Sequence, residues 1–201
     1  VYILALKTMT MQTAAKAIIN LFREHGEVVY GEVMSVNSHS IQAGWLAKEK
    51  GYDQGIQVAA FLHDIGHIIP LLDTEAQGNR MGEFGMDQHD LIGADYLERA
   101  GFPAVVVACA KNHVNAKRYL CYQEPGYFEQ LSPASVETLR YQGGGMAPEE
   151  AAVFEQTPHF KASIAVRRLD ELAKEAEYLI TEAHWQYFEE LMAEMIESNG
   201  L

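Results

Sequence analysis

The chain has 201 residues, a formal net charge of −13, 48% hydrophobic residues and 21% charged residues. This length fits one domain with a substantial core, and we assign that domain to residues 10–198, preceded by an N-terminal segment of residues 1–9. The negative charge disfavours binding to nucleic acid and to anionic membranes, but a small anionic ligand needs only a few local cations.

The expected location is the cytoplasm. The two cysteines, Cys109 and Cys121, give no disulfide framework. The apolar start from Val1 to Lys7 lacks the basic flank and the long apolar core of a signal peptide. No stretch reaches the roughly 18–20 apolar residues that a membrane span needs.

Helical periodicity of apolar residues recurs along the chain and predicts an all-α fold. Gly, Pro and capping residues separate the helical segments, with Asp53 as an expected N-cap. No strand pattern of any length interrupts them, and residues 71–87 and 117–146 show no helical period. The predicted helices are residues 10–25, a helix carrying His39 that stops at Gly51, residues 54–67, 88–100 and 103–113, a helix starting at Pro148, and residues 160–172 and 181–197.

The most informative stretch is Phe61–His67, where His63 directly precedes Asp64 inside an apolar run that begins near Ile56. Burying an ionised carboxylate costs several kcal/mol unless a partner compensates it. A bound metal cation is one such partner. Histidine nitrogen and carboxylate oxygen together suit Fe, Mn, Zn or Co better than Ca or Mg.

Further residues of the ligand type lie in other helical segments, and helical bundles build metal sites from side chains of several helices. Four histidines and two carboxylates exceed the needs of one tetrahedral zinc and fit two adjacent metals bridged by Asp64. The absence of cysteine ligands favours iron or manganese. The candidate ligands are His39, His63, Asp64, His89, His113 and Asp170, whereas we interpret His25, His159 and His184 as ordinary histidines.

The order of these residues resembles the HD-domain superfamily, whose members are mostly metal-dependent phosphohydrolases. One branch consists of mixed-valent di-iron oxygenases, and the sequence is similar to the PhnZ/TmpB-like, phosphonate-cleaving members of that branch from about residue 30 to residue 172. The stretches that carry the resemblance are Phe61–His67, His89–Leu97, Lys111–Val114 with Ala116–Leu120, Tyr141–Gly144 and Arg167–Asp170.

The resemblance implies a helical bundle with a buried dinuclear site that holds two iron ions as an Fe(II)/Fe(III) pair. Asp64 would be shared between the two ions. One iron would be held by His39, His63, Asp64 and Asp170, and the other by Asp64, His89 and His113.

The resemblance also implies substrate-contacting residues. Tyr30 would cap the second iron until substrate displaces it, and Glu32 would face an amino group of the substrate. The spacing between Tyr30 and Glu32 is one residue shorter than in the family. The positions that contact the phosphonate or the hydroxyl group correspond to His67, Lys117, Ser135 and Arg167, and Tyr30, Glu32 and His67 are the candidate catalytic residues.

Alternatives from the residues alone stay open for several of these positions. Lys117 and Arg167 are either charge-assisted donors to an anion or surface cations. Ser135 is either a ligand-binding residue or a helix cap. The glycines of 143–145 either expose backbone N–H groups to an anion or form a plain turn.

The implied reaction is O2-dependent cleavage of the C–P bond of a 1-hydroxy-2-(amino or trimethylammonio)ethylphosphonate, giving glycine or glycine betaine and inorganic phosphate. The partners are then a small organophosphonate and O2, with no nucleic acid or membrane partner. The alternatives are a two-metal HD-domain phosphohydrolase and a non-catalytic regulatory HD module. The oligomeric state, and the choice between a primary amine and a trimethylammonium group, stay open.

Overall fold

The computed structural model describes residues 11–29, 34–69 and 87–200. Tyr30, Glu32 and the predicted loop before Asp87 lie outside these residues. Within them the chain contains nine α-helices and no strand, which confirms the all-α class. No helix in the same ranges has the length and apolarity needed to cross a membrane. The helices are α1 Met11–His25, α2 Val36–Glu49, α3 Gln54–Leu62, α4 His89–Arg99, α5 Ala104–Gln123, α6 Pro133–Tyr141, α7 Pro148–Glu155, α8 Phe160–Leu172 and α9 Glu182–Asn199.

Capping residues set the starts of α2 and α3. The Ser35 side chain accepts the N–H of Ser38 at 3.3 Å, and the Asp53 side chain accepts the N–H of Ile56 at 3.0 Å. Each bond satisfies one backbone donor that the first helical turn leaves without a partner. The predicted N-cap at Asp53 is confirmed.

Two predicted helix boundaries are wrong. α3 ends at Leu62 instead of continuing to His67, and a single 3₁₀ turn follows at Ile65–His67. The intervening Asp64 has φ −103° and ψ 10°, in a sparsely populated region that is common at functional sites. α5 continues to Gln123 through residues predicted to be irregular, because its last turns bury Tyr119 and Leu120 in a second apolar cluster.

α3 forms the centre of the core and is mostly apolar. All residues from Ile56 to Leu62 are buried, and the helix packs against α2, α5, α8 and α9. The Phe61 ring stacks between Phe22 and Phe188, with centroid distances of 4.8 and 4.4 Å. Burying each such ring contributes about 1.5–3 kcal/mol. This packing fixes the end of α3, which carries the His-Asp pair.

A smaller apolar cluster lies under α5 and α7. Its buried members are Ala116, Tyr119, Leu120, Tyr127, Met146, Ala151 and Phe154. The cluster attaches the segment between α5 and α6 to the rest of the bundle. The assignment of residues 10–198 to a single domain stays a prediction.

Candidate metal centre

Five helices bring the six predicted ligands together. His39 lies in the first turn of α2, and His63 and Asp64 follow the end of α3. His89 begins α4, His113 lies in the middle of α5 and Asp170 lies near the end of α8. Their ligand atoms form two groups, within each of which all atoms lie within 4.8 Å of one another: His39, His63 and Asp170, and Asp64, His89 and His113.

Asp64 belongs to the second group, and its carboxylate also faces the histidines of the first. Its Oδ2 atom is 3.4 Å from His63 Nε2 and 3.7 Å from His39 Nε2. Its Oδ1 atom is 3.3 Å from His113 Nε2 and 3.7 Å from His89 Nε2. One oxygen of Asp64 thus faces each pair of histidines, an arrangement that suits a carboxylate shared between two metal ions.

Main-chain carbonyls orient three of the imidazole rings. A carbonyl oxygen only accepts hydrogen bonds, so each facing Nδ1 carries the ring proton and leaves Nε2 with a free lone pair when the ring is neutral. The Nε2 atoms of His39 and His63 are 3.3 Å apart. Two lone pairs at this distance repel each other, and a cation bound to both nitrogens would remove the repulsion. The three Nδ1 atoms belong to His39, His63 and His113, and they donate to the carbonyls of Ala173 at 2.9 Å, Ala60 at 2.8 Å and Ala110 at 2.7 Å.

The electrostatics of the first group require positive charge. Burial alone would raise the pKa of Asp64 and of Asp170, but His63 beside Asp64 and Arg167 beside Asp170 hold both pKa values well below the usual range. Burial lowers the pKa of His63, yet the two carboxylates raise it to about 9. Two ionised carboxylates therefore share this buried space, and a metal cation can replace the proton on His63.

In the second group, His113 favours the neutral imidazole, the form that binds metal. Burial lowers the pKa of His113 to about 3, despite the attraction of Asp64. Burial and the neighbouring His89 also hold the pKa of His67 well below its usual value. The His67 ring stacks on the His89 ring with centroids 3.9 Å apart, so His67 lies beside the ligands and lines the cavity.

Gly66 allows the 3₁₀ turn to pass directly beside the start of α4. A Cβ atom at this position would lie 1.8 Å from the His89 carbonyl oxygen and 2.7 Å from its carbonyl carbon. No side chain fits at such distances, because the obstructing atoms are backbone. Glycine here is therefore a condition for placing His89 next to Asp64.

A cavity of about 100 Å³ opens beside the two ligand groups. Lys117 and Arg167 line it, and each has only 4% of its surface exposed, so the interpretation as surface cations is wrong. Ser135 also lines it and is not the helix cap: Ser132 caps α6 by accepting the Ser135 N–H at 3.1 Å. The predicted substrate residues His67, Lys117, Ser135 and Arg167 thus surround one cavity.

The two buried cations differ in their partners. Lys117 Nζ donates to Thr138 Oγ1 at 2.8 Å, and burial together with the nearby Arg167 lowers the pKa of Lys117 to about 7. Arg167 donates through Nη1 to Asp170 and through Nε to the oxygens of Tyr127 and Glu171, both at 3.1 Å. Among the described residues its Nη2 has no hydrogen-bond partner although it is buried. The guanidinium therefore keeps a donor for a ligand.

Sequence reasoning missed two polar side chains of the cavity, Thr138 and Gln142. They follow Ser135 by three and seven residues on or just after α6, which places all three on one helix face. The spacing of these three residues could have indicated a shared helix face. It was missed because the sequence shows no helical period in residues 117–146. The Gln142 Oε1 atom is buried and has no partner among the described residues.

The glycines after α6 form a plain turn, as one of the two interpretations predicted. The N–H of Gly144 donates to the Leu139 carbonyl at 2.9 Å, and Gly143 and Gly144 have φ values of +91° and +74°. These left-handed conformations end the helix and suit glycine. The Gly144 N–H is used within this turn.

An all-helical bundle with two adjacent His/Asp groups defines a class of metal-centre proteins, and comparison with known proteins identifies the family. The HD domain family matches residues 36–155. A [1-hydroxy-2-(trimethylamino)ethyl]phosphonate dioxygenase (glycine-betaine-forming) of Leisingera caerulea is 40% identical over 173 residues, 83% of each chain. The chain therefore belongs to the HD-domain family.

Two further relatives cover similar lengths. A hydroxymethylphosphonate dioxygenase of Gimesia maris is 36% identical over 158 residues, 79% of this chain and 77% of the relative. An uncharacterised protein of Acanthamoeba polyphaga mimivirus is 41% identical over 158 residues, 78% of this chain and 71% of the relative. Within the family, the chain is thus similar to members that are named phosphonate dioxygenases.

Proposed function

We propose that this protein catalyses O2-dependent cleavage of the C–P bond of a 1-hydroxy-2-(amino or trimethylammonio)ethylphosphonate, giving glycine or glycine betaine and inorganic phosphate. The observation that carries the proposal is the cavity itself. It is lined by a carboxylate, Asp64, that faces two ligand groups, and by two buried cations, Lys117 and Arg167. The similarity to two phosphonate dioxygenases supports the same reaction.

The donor set fits two iron ions. His39, His63, Asp64 and Asp170 would hold one, and Asp64, His89 and His113 the other, with histidine and carboxylate ligands and no sulfur. As a mixed-valent Fe(II)/Fe(III) pair, the ions would supply O2 activation and the one-electron removal of hydrogen from the carbon bearing the hydroxyl group.

The protein's own residues would bind and orient the phosphonate. Lys117 and Arg167 offer charge to a dianion, and Arg167 keeps Nη2 for this purpose. Ser135 and Thr138 add hydroxyl groups from one face of α6. Because Lys117, Ser135 and Arg167 are buried, these charge-assisted bonds form in a low effective dielectric and would hold the reacting carbon beside the ligand groups.

Tyr30, Glu32 and His67 complete the proposed site. Tyr30 would cap the second iron until substrate displaces it, and Glu32 would pair with a cationic amine at the far end of the substrate. His67 lines the cavity beside His89 and would contact the phosphonate or the hydroxyl group. The roles of Tyr30 and Glu32 rest on the resemblance, since both lie outside the described residues.

The overall reaction balances without a further reductant. The C–P and C–H bonds break, one oxygen atom of O2 enters the carboxylate, and the other enters the phosphate. Of the two hydrogens of the CH(OH) group, one remains on the hydrogen phosphate and the other is released to solvent as a proton.

The decisive test is a screen of 1-hydroxyphosphonates with the iron-loaded protein, measuring phosphate release and O2 consumption together. We expect one O2 consumed per phosphate released and no phosphate under nitrogen. The matched control is a panel of phosphomonoesters. Anaerobic, metal-dependent release of phosphate from those esters would instead favour the two-metal phosphohydrolase, which uses the same ligands to activate water.

A further inference from the structure

Among the described residues, three acceptors hold the Arg167 guanidinium, and one of these three lies outside α8. Asp170 and Glu171 lie on α8 itself, three and four residues after Arg167. Contacts at this spacing move together with their helix and orient the guanidinium only relative to α8. Tyr127 lies in the segment between α5 and α6. By accepting a hydrogen bond from Arg167 Nε, its hydroxyl fixes the position of the guanidinium relative to that segment.

The Tyr127 hydroxyl is held firmly in place. The residue is 3% exposed, and its ring is part of the second apolar cluster. Its N–H donates to the Glu124 carbonyl at 3.2 Å. The Arg168 guanidinium lies 5.4 Å from the centroid of the Tyr127 ring and forms an ion pair with Glu124. These contacts hold the ring in place, so its hydroxyl can keep the Arg167 guanidinium in one orientation.

We propose that Tyr127 is a positioning residue for anion recognition: its hydroxyl holds the Arg167 guanidinium so that Nη2 meets the anionic group in the cavity. The inference rests on the proposed function for the nature of that anion, a phosphonate. Tyr127 does not line the cavity and acts only through Arg167. An arginine side chain has many rotamers, and fixing the planar group beforehand reduces the ordering that substrate binding requires.

The test compares two tyrosines of the same apolar cluster. Tyr127→Phe removes the hydroxyl on Arg167 and keeps the ring. Tyr119→Phe is the matched control, because Tyr119 is also buried, at 8% exposure, but its hydroxyl donates to Glu155 at 2.7 Å, away from Arg167. Both variants are loaded with iron, their metal content is measured, and inorganic phosphate is titrated into each by calorimetry.

We expect Tyr127→Phe to weaken phosphate binding by about five- to tenfold. The variant removes one hydrogen bond of the Arg167 Nε–H group, which still donates to Glu171. Tyr119→Phe should change it by less than about twofold. In turnover, Tyr127→Phe should raise KM for the phosphonate by a similar factor and leave kcat nearly unchanged. In an Arg167→Met background, adding Tyr127→Phe should have no further effect, because the methionine side chain has no N–H group to donate to the hydroxyl.

Equal phosphate affinity in the two tyrosine variants would overturn the inference, as would a wild-type protein that binds no phosphate. Loss of iron in Tyr127→Phe alone would also overturn it, because the hydroxyl would then serve the metal centre through Asp170. A protein that binds phosphate with the expected difference, but shows no O2-dependent phosphate release, would contradict the proposed reaction and leave the role of Tyr127 standing.

Discussion

Asp64 and Asp170 approach the same histidine pair, but only Asp64 also reaches the second pair. Asp170 Oδ1 is 3.2 Å from His39 Nε2, and Asp170 Oδ2 is 3.8 Å from His63 Nε2. Asp64 contacts this pair through one oxygen and the pair formed by His89 and His113 through the other. The two carboxylates are therefore not equivalent, and their removal should have different consequences.

We predict that Asp64→Ala loses both metals, whereas Asp170→Ala loses only the metal of the first group. Because Asp64 faces both pairs of histidines, it would supply an oxygen ligand and a negative charge to both metals, whereas Asp170 would supply them to one. Metal analysis of protein expressed with added iron measures the number of ions per chain.

The control for this experiment is Asp95→Asn, which removes a carboxylate that forms an exposed ion pair with Arg99. It should retain full metal content. Equal metal loss in Asp64→Ala and Asp170→Ala would contradict the bridging role of Asp64.

A second prediction concerns pH. The pKa of Lys117 lies near 7 because burial and Arg167 both disfavour its ammonium form. The cation is present below this pH and is lost as the pH rises, so kcat/KM for a phosphonate should fall above about pH 7, approaching tenfold per unit. Lys117→Gln should have a lower kcat/KM and lack this inflection.

The substrate ionises in the same way with the wild-type protein and with Lys117→Gln. The difference between their pH profiles therefore reports the ionisation of Lys117 alone. An unchanged inflection in Lys117→Gln would assign it to another group and contradict the prediction. Lys111→Gln, on the same helix but not lining the cavity, is the matched control and should keep the wild-type profile.

The sequence predicted the helical class, because periodicity identifies helices, and the six side chains that it predicts to be ligands lie close together in the structure. It did not predict that α3 ends at Leu62, since the apolar run continues past that residue and no proline occurs before Pro70. The turn at Asp64 depends on the close approach of Gly66 to His89, a tertiary contact that helical periodicity does not encode.

The contacts that hold Arg167 could not be predicted either. Tyr127 is 40 residues before Arg167 in the chain, and the sequence around it only indicates an irregular segment with aromatic residues. Which of those aromatics reaches the guanidinium depends on how α5, α7 and α8 pack. The cavity residues Thr138 and Gln142 were missed because α6, with nine residues, is too short to give a clear period.

A third prediction tests the close approach at Gly66. Gly66→Ala places a Cβ against backbone atoms of His89, so either the turn or the start of α4 must move. We expect the free energy of unfolding of the metal-free protein to fall by about 3 kcal/mol or more, and the metal content of the second group to fall with it. Denaturant unfolding and metal analysis measure the two effects.

The matched control is Gly55→Ala, in the first turn of α3. A Cβ there would meet Asp53 Oδ1 at 3.1 Å and a methyl group of Val105 at 3.2 Å. Both are side-chain atoms that can shift slightly, so the change in the free energy of unfolding should stay within about 1 kcal/mol. Similar losses in the two variants would mean that the approach of Gly66 to His89 has no special role.

The last prediction separates the two ends of the substrate. If Glu32 pairs with a cationic amine, Glu32→Gln should raise KM for the amino- or trimethylammonio-bearing substrate by about tenfold, since it removes one charge interaction in a partly enclosed site. KM for hydroxymethylphosphonate, which has no amine, should stay within about twofold, and metal content should be unchanged. Steady-state phosphate release with both substrates gives the comparison. Equal increases in KM for both substrates, or loss of iron in the variant, would show that Glu32 does not recognise the amine.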